Sequence, residues 1–435
     1  MLPGPVKIFA FRKVPRLCYV ADLILNEILG LSWQIITDRR KTGKSPVINY
    51  SGSILPGTFR ISPSEILFET GIKTHEISIS NWNGLPIFFN TDEESDLPFD
   101  IFAATFFMVT RYEEYLGFSP DEHGRFCGSE SLAYKNGFLD IPIINLWARE
   151  FAKVLVRKYQ TLSFKPKEFR ALVTIDVDEP FAYKGRNMMG NIAGLVKDFA
   201  ARGGRLSEHM DFIKGKIKDP YEVFDFLADT IKSTGSTAKF FFPVGDTSVY
   251  DRNPSWRNSD YRQLIRKIKQ SFTIGLHPSY KASTNLPALV NEAERFKTIT
   301  NNDLLVSRFH FLKIKMPGSY RNLSAAGIHE DYSMGFHDEP GFRAGIACPF
   351  LFYDILDDKL TNLRIYPFQI MDVTLREYKK YKPREAIEII RRLLVHTQST
   401  GGIFISIWHN TTLLEKPELK EWCEVFEFTL RNQVV

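Results

Sequence analysis

The chain has 435 residues, 44% of them hydrophobic and 25% charged, and a formal net charge of +5. This length points to two domains with a substantial core, and a mild charge without basic runs interleaved with aromatics argues against a nucleic-acid partner. Cys18, Cys127, Cys348 and Cys423 are widely separated and form no Cys-x-x-Cys pair, so neither a disulfide framework nor a zinc knuckle is indicated.

The first thirty residues place Lys7, Arg12, Lys13 and Arg16 among apolar residues, where a signal peptide needs an unbroken apolar core. A cytoplasmic location with reduced thiols is expected. The pieces "VKIFAF", "SWQIITD", "EILFET" and "GLPIFFN" read as short strands. "TGKS" is not a phosphate loop, because Asp38 stands where the earlier glycine is needed. Helices follow in "FDIFAATFFMVTRYEEYLGF" and "INLWAREFAKVLVRKY". The apolar run in the first is about half the roughly 20 residues of a membrane span and is closed by Asp100 and Arg111, so it reads as a buried helix. Arg111 beside Glu113 and Glu114 reads as a helix-face ion pair. Residues 1–165 thus form a small mixed α/β domain of unknown role, a place where a partner could dock, and the boundary falls in "QTLSFKPKEFRALV" at Pro166.

Residues 166–435 alternate strand and helix. "RALVTID" is a strand; Asp219 and Pro220 start a helix that stops at Gly235, and "TAKFFFPVG" is the next strand. Further helices are read in "DYRQLIRKIKQ", "LPALVNEAERFKTI", the stretch from Pro317 to Gly327 and "PREAIEIIRRLLVHTQSTGG". Strands are read in "FTIGLHPSY", "DLLVSRFHFLKI" and "IFISIWHN", with further segments around "HEDYSMGF" and "LRIYPFQIMDVTL". Such alternation implies a parallel sheet, open or closed into a barrel.

Ligands of such folds bind at the carboxyl ends of the strands, and those ends carry the unusual residues. They are Asp176 with Asp178, His277, Arg308 with His310 on one strand face, Asp331 and His409. Two carboxylates at that spacing face one small volume and repel unless a cation or a shared proton intervenes. With imidazoles nearby they suit metal-assisted hydrolysis by zinc, iron, cobalt or manganese, with three ligands and a water. His75, His123, His209, His329, His337 and His396 are read as surface or loop residues, and no serine sits in a nucleophile elbow.

In order, these motifs resemble the polysaccharide deacetylases with a NodB-like domain, over roughly residues 168–435. The resemblance implies a distorted (β/α) barrel, and "TIDVD" would make Asp176 the catalytic base and Asp178 a metal ligand. "GLHPSY" is similar to the family's histidine motif and implies His277 as second ligand. "SRFHF" is similar to its arginine motif and implies Arg308 as the residue orienting the base. "ISIWHN" resembles its closing motif and makes His409 the general acid. The family's second histidine, four residues after the first, is Lys281 here; His310 is the substitute ligand, with Ser279 or a water as fallback. "GFHDEPGFRAGIACPFLFYD" matches deacetylase-like bacterial proteins with an extra N-terminal domain, and its Arg343 is expected to meet a carboxylate of substrate or Asp176. Aromatics available to sugar rings include Phe181, Tyr183, Tyr280, Tyr332 and Trp408; Arg343, Tyr280, Trp408 and Asp331 are the substrate-side candidates. The expected activity is deacetylation of an N-acetylated sugar or glycan precursor with a divalent ion, zinc above others. Its rivals are hydrolysis of a small amide or cyclic imide, and a non-catalytic glycan-binding or assembly protein.

Overall fold

In a computed structural model, residues 4–165, 167–184, 206–301, 305–414 and 416–433 are described. Contacts divide the chain into two units: residues 1–170, 334–369 and 392–404 form the first, and 171–333, 370–391 and 405–435 the second. The sequence reading had drawn a single boundary near residue 165, whereas two later segments group with the N-terminal residues.

In the first unit, strands Trp33–Ile36, Val6–Phe9, Val47–Asn49 and Phe59–Arg60 form a parallel sheet in that order. The expected strand in "EILFET" is instead a 3-10 turn at Glu65–Leu67. Its Ile66 and Leu67 are both buried, and adjacent residues of a strand would point to opposite faces. Helix Ile101–Val109 is buried at every position, which is why its sequence carries no charged residue on any face. Asp100 caps it, accepting from the backbone of Phe102 and Ala103 at 3.1 Å, and also from the Tyr50 hydroxyl at 2.6 Å. Burial pushes the Asp100 carboxyl up to about 6 against these bonds.

Arg111 pairs with Glu113 and Glu114 at 2.7 Å, but it is fully buried rather than set on a helix surface. Glu114 also binds Arg343 through two hydrogen bonds of 3.0 and 2.7 Å, and Arg343 donates to the Gly335 carbonyl. The guanidinium of Arg343 is thus spent inside the first unit, and the expected contact with substrate or Asp176 is replaced by Glu114. Burial raises the Glu114 carboxyl, but the two arginines outweigh that and hold it low.

The second unit is built on seven strands: β1 Arg170–Asp176, β2 Ala238–Phe242, β3 Thr273–Leu276, β4 Leu305–Ser307, β5 Ile328–Asp331, β6 Ile370–Met371 and β7 Ile403–His409. Their spatial order is β5-β4-β3-β2-β1-β7-β6. The pairs β1–β2, β2–β3, β3–β4, β4–β5 and β6–β7 are parallel. Among the described residues no pairing joins β5 to β6, so the sheet is open and the expected closed barrel is not formed. Strand-helix alternation predicts parallel strands but does not encode whether β5 and β6 pair to close the sheet. Helices Ser259–Lys269, Leu286–Thr300 and Gly318–Ala325 separate the strands.

Two local expectations change. The helix after Asp219 begins only at Phe224. Asp219 instead accepts from the backbone N–H groups of Ala182, Tyr183 and Lys184 at 2.7–2.8 Å, pinning the loop beyond β1. The strand expected through "SRFHF" stops at Ser307, and Phe311 and Leu312 turn into left-handed backbone. Arg308 and His310 therefore do not share a strand face; the turn aims each separately. No helix among the described residues is long and apolar enough to cross a membrane.

Candidate metal centre

The carboxyl ends of the strands bring the site together. β1 ends on Asp176, with Asp178 two residues beyond; His277 follows β3, Arg308 follows β4, Asp372 follows β6, and β7 ends on His409. Runs of buried apolar residues such as Phe240, Phe241 and Phe242 in β2 anchor the strands, so these loop-proximal side chains are held on a rigid base.

Asp176 and Asp178 have different surroundings. Asp176 is buried and accepts from Arg308 Nη1 at 2.9 Å. Arg308 is itself fully buried: the same Nη1 donates to Thr174 Oγ1 at 2.6 Å, Nε donates to the Tyr332 carbonyl, and the guanidinium lies 4.6 Å from the Phe241 ring. Asp178 is a quarter exposed and faces three imidazoles: His277 at 3.1 Å, His310 at 3.5 Å and His409 at 3.8 Å.

The tautomers follow from the other ring nitrogens. His277 Nδ1 lies 2.6 Å from the Arg308 carbonyl oxygen, which can only accept, so Nδ1 carries the hydrogen. His310 Nδ1 is 2.9 Å from a carboxylate oxygen of Asp251 and carries its hydrogen for the same reason. In the neutral rings both Nε2 atoms then turn lone pairs toward the Asp178 carboxylate. His277 Nε2 and Asp178 Oδ1 are both buried and without a hydrogen-bond partner. Two acceptors facing each other at 3.1 Å need a positive charge between or beside them.

A divalent cation fits this cradle. Asp178, His277 and His310 each offer one donor atom within 4.8 Å of the others. Ligands about 2.0–2.1 Å from a tetrahedral zinc are about 3.3 Å apart, close to the 3.1 Å between His277 Nε2 and Asp178 Oδ1; His310 Nε2 lies 3.5 Å from the other oxygen, Oδ2. The Asp251–His310 hydrogen bond and the carbonyl behind His277 are the outer partners that orient metal-bound imidazoles. Lys281 is exposed, and Ser279 donates to Glu292 at 2.5 Å, so His310 is the residue that completes the trio.

Without a cation, protons would carry the charge balance. Burial raises the Asp178 carboxyl, but protonated His310, the His277 and His310 contacts and then His409 outweigh it and hold it well below the usual range. Burial lowers His310, yet Asp178 and Asp251 raise it to about 9. His409 is likewise lowered by burial and raised, chiefly by Asp372, to about 10. The Asp372 carboxylate is fully buried, accepting from His409 Nδ1 at 2.7 Å and from its backbone N–H at 2.8 Å.

The substrate-side candidates separate. Tyr280 stacks on the exposed Tyr250 with ring centroids 4.1 Å apart, and its backbone N–H donates to Asp251, so this pair stands beside His310. Trp408 is fully buried against Phe426, and Asp331 is buried and bonded by Ser307 and Ser333. Both are core residues: a strand's side chains alternate, and Trp408 points to the face opposite His409. Of the other aromatics, Tyr332 is buried, as are Phe181 and Tyr183. Asp251 and Asp372 escaped the sequence reading. Asp372 carries the same signal as the others, an acidic residue just beyond a short apolar strand, whereas Asp251 sits in a loop with no such mark.

A family of unknown function, DUF7033, matches residues 6–160. No curated protein matches the chain. Among solved structures, a candidate polysaccharide deacetylase from Mycobacterium smegmatis is similar at 14% identity and a TM-score of 0.40, over 62% of this chain and 86% of that one. A CE4 family pseudoenzyme from Bacillus anthracis is similar at 10% identity and a TM-score of 0.30, over 63% and 67%. A 4-alpha-glucanotransferase from Thermococcus litoralis is similar at 10% identity and a TM-score of 0.33, over 62% and 37%. A fold does not fix an activity, so the chemistry available here is read from the side chains themselves.

Proposed function

We propose that the second unit is a metal-dependent deacetylase acting on an N-acetylated sugar or polysaccharide precursor. The reading rests on one observation: Asp178 Oδ1 and His277 Nε2 face each other at 3.1 Å, both buried and both unsatisfied, with His310 alongside. Zinc suits this oxygen and nitrogen donor set, and a divalent ion so held supplies polarisation of the acetyl carbonyl and acidification of a water.

The remaining groups divide the proton transfers. Asp176 is fixed by Arg308, beside Asp178 but outside the ligand trio, and takes the proton of the attacking water. As the new C–O bond forms and the C–N bond breaks, His409 gives its proton to the departing nitrogen, leaving acetate and a free amine. An amine is a poor leaving group unless protonated, which is where a histidine kept cationic by Asp372 is useful. Tyr280, stacked on Tyr250 and covered by the Lys313 ammonium 3.6 Å from its ring, holds the exposed Tyr250 ring as an aromatic surface for a sugar next to the acetyl-binding end.

Metal analysis of purified protein, with acetate release from N-acetylglucosamine oligomers, tests this reading. The wild type should hold a divalent ion in this site and release acetate, and Asp178→Asn should lose both. A protein that keeps its full metal content in Asp178→Asn, or whose acetate release survives that change, overturns it.

A further inference from the structure

We infer that the first unit holds a second metal site, formed by Cys127, His337 and Asp338 and suited to zinc. The Cys127 sulfur, a nitrogen of His337 and a carboxylate oxygen of Asp338 all lie within 4.8 Å of one another. This inference does not depend on the deacetylase reading, because no residue is shared between the two sites.

The cluster joins segments some 210 residues apart, and the backbone is built for that approach. The Gly128 N–H donates to both Asp338 oxygens, at 2.9 and 3.1 Å. A Cβ on Gly128 would lie 2.8 Å from the Glu339 side chain, so only glycine lets the segments meet this closely.

His337, read from sequence as a surface or loop residue, is only 5% exposed. Its Nε2 is 3.3 Å from Asp121 Oδ2, an oxygen that also accepts from Arg125 Nε at 2.8 Å. The Arg125 guanidinium also pairs with this oxygen through Nη2, 2.8 Å away. An ionised carboxylate only accepts, so Nε2 carries the hydrogen and Nδ1 keeps its lone pair. Nδ1 is the nitrogen on the Asp338 side, 3.7 Å from Oδ1. A carboxylate behind one ring nitrogen, and the other nitrogen on the side of a second carboxylate, is the arrangement of a metal-ligating histidine with its outer partner.

Sulfur, nitrogen and oxygen donors together select zinc and its neighbours over magnesium or calcium. Three protein ligands leave one position for water. The ion would clip residues 334–369 onto the N-terminal part of the first unit. No Cys-x-x-Cys spacing announces it, because each ligand segment contributes too few residues to form a motif.

Cobalt(II) titration of the full-length apoprotein under a non-thiol reductant isolates this site. A cobalt–thiolate bond gives a near-ultraviolet charge-transfer band, and the Asp178–His277–His310 centre has no sulfur with which to produce one. In Asp178→Asn, which disables the other centre, the band should persist and saturate at one equivalent per chain; it should vanish in Cys127→Ser and need about 10- to 100-fold more cobalt in Asp121→Asn. Cobalt binding without the band, or a band unchanged in Cys127→Ser, overturns the inference. Should Cys127→Ser fail to fold, alkylation of wild-type Cys127 mapped by mass spectrometry decides: zinc should protect it, and equal labelling with and without zinc refutes the site.

Discussion

Replacing Asp251 by Asn probes whether His310 is held as a metal ligand. Asp251 is 2% exposed, accepts from His310 Nδ1 at 2.9 Å and from the Tyr280 N–H at 3.0 Å, and is bonded by Ser248 Oγ at 2.7 Å. Asparagine is isosteric and its oxygen can keep the His310 and Tyr280 bonds; only the Ser248 bond is given up, because Ser248 Oγ already accepts from the backbone N–H groups of Tyr250 and Asp251 at 3.1 and 3.0 Å. What is lost is the negative charge that makes the His310 lone pair more basic toward the cation. Removal of such an outer partner costs about 10- to 100-fold in metal affinity, or about 1.4–2.7 kcal/mol. Calorimetric zinc titration of the apoprotein measures it on the step that Asp178→Asn removes, with the exposed Asp246→Asn as control, expected to stay within about twofold because the Asp246 carboxylate in its pair with Arg295 is solvated. Zinc affinity in Asp251→Asn indistinguishable from the control refutes the assignment of His310 as a ligand.

Asp372→Asn should move the alkaline limb of the kcat/KM profile. The folded value of His409 is raised to about 10, so its protonated form persists through neutral pH and is lost only as pH rises through that value. Without Asp372 it falls toward the ordinary imidazole value of about 6.5, and at pH 8 roughly 3% stays protonated. An unshifted alkaline limb would exclude His409 as the acid. Arg308→Ala leaves the Asp176 carboxylate buried without its cation and should cost about 3–5 kcal/mol in urea unfolding; a loss under 1 kcal/mol would contradict the pairing. Trp408→Ala should cost about 3–5 kcal/mol as a core truncation. Tyr280→Ala should instead weaken oligosaccharide binding with little loss of stability, and the opposite pattern would return Trp408 to the substrate side.

The strand ends were legible because the chain must bury β1, β3 and β7 as apolar runs, and a carboxylate or imidazole placed at such an end stands out. Asp176, Asp178, His277 and His409 are of this kind. Trp408 on β7 and Asp331 at the end of β5 misled, because strand-end position alone does not say which face a side chain takes. Arg343 misled differently: its partner Glu114 lies 229 residues away in the chain, and no local pattern links them. Asp251 was invisible for the same reason, as its value comes from the His310 ring brought to it by the turn at Phe311. His209 was read as surface yet is fully buried against the Tyr183 ring, a tertiary contact that composition cannot announce. The open sheet follows suit: alternation gives parallel strands, but it does not say whether β5 and β6 meet.

Metal-dependent acetate release is the direct measure of the central claim. Protein stripped with a chelator, dialysed and reloaded with zinc is assayed against N-acetylated hexosamine monomers and oligomers, with Asp176→Asn reloaded in parallel. Stripping should abolish acetate release, zinc should restore it in the wild type, and Asp176→Asn should bind zinc while releasing acetate at least about 100-fold more slowly. Zinc bound at the Asp178–His277–His310 centre with no acetate released from any of these sugars would contradict the account.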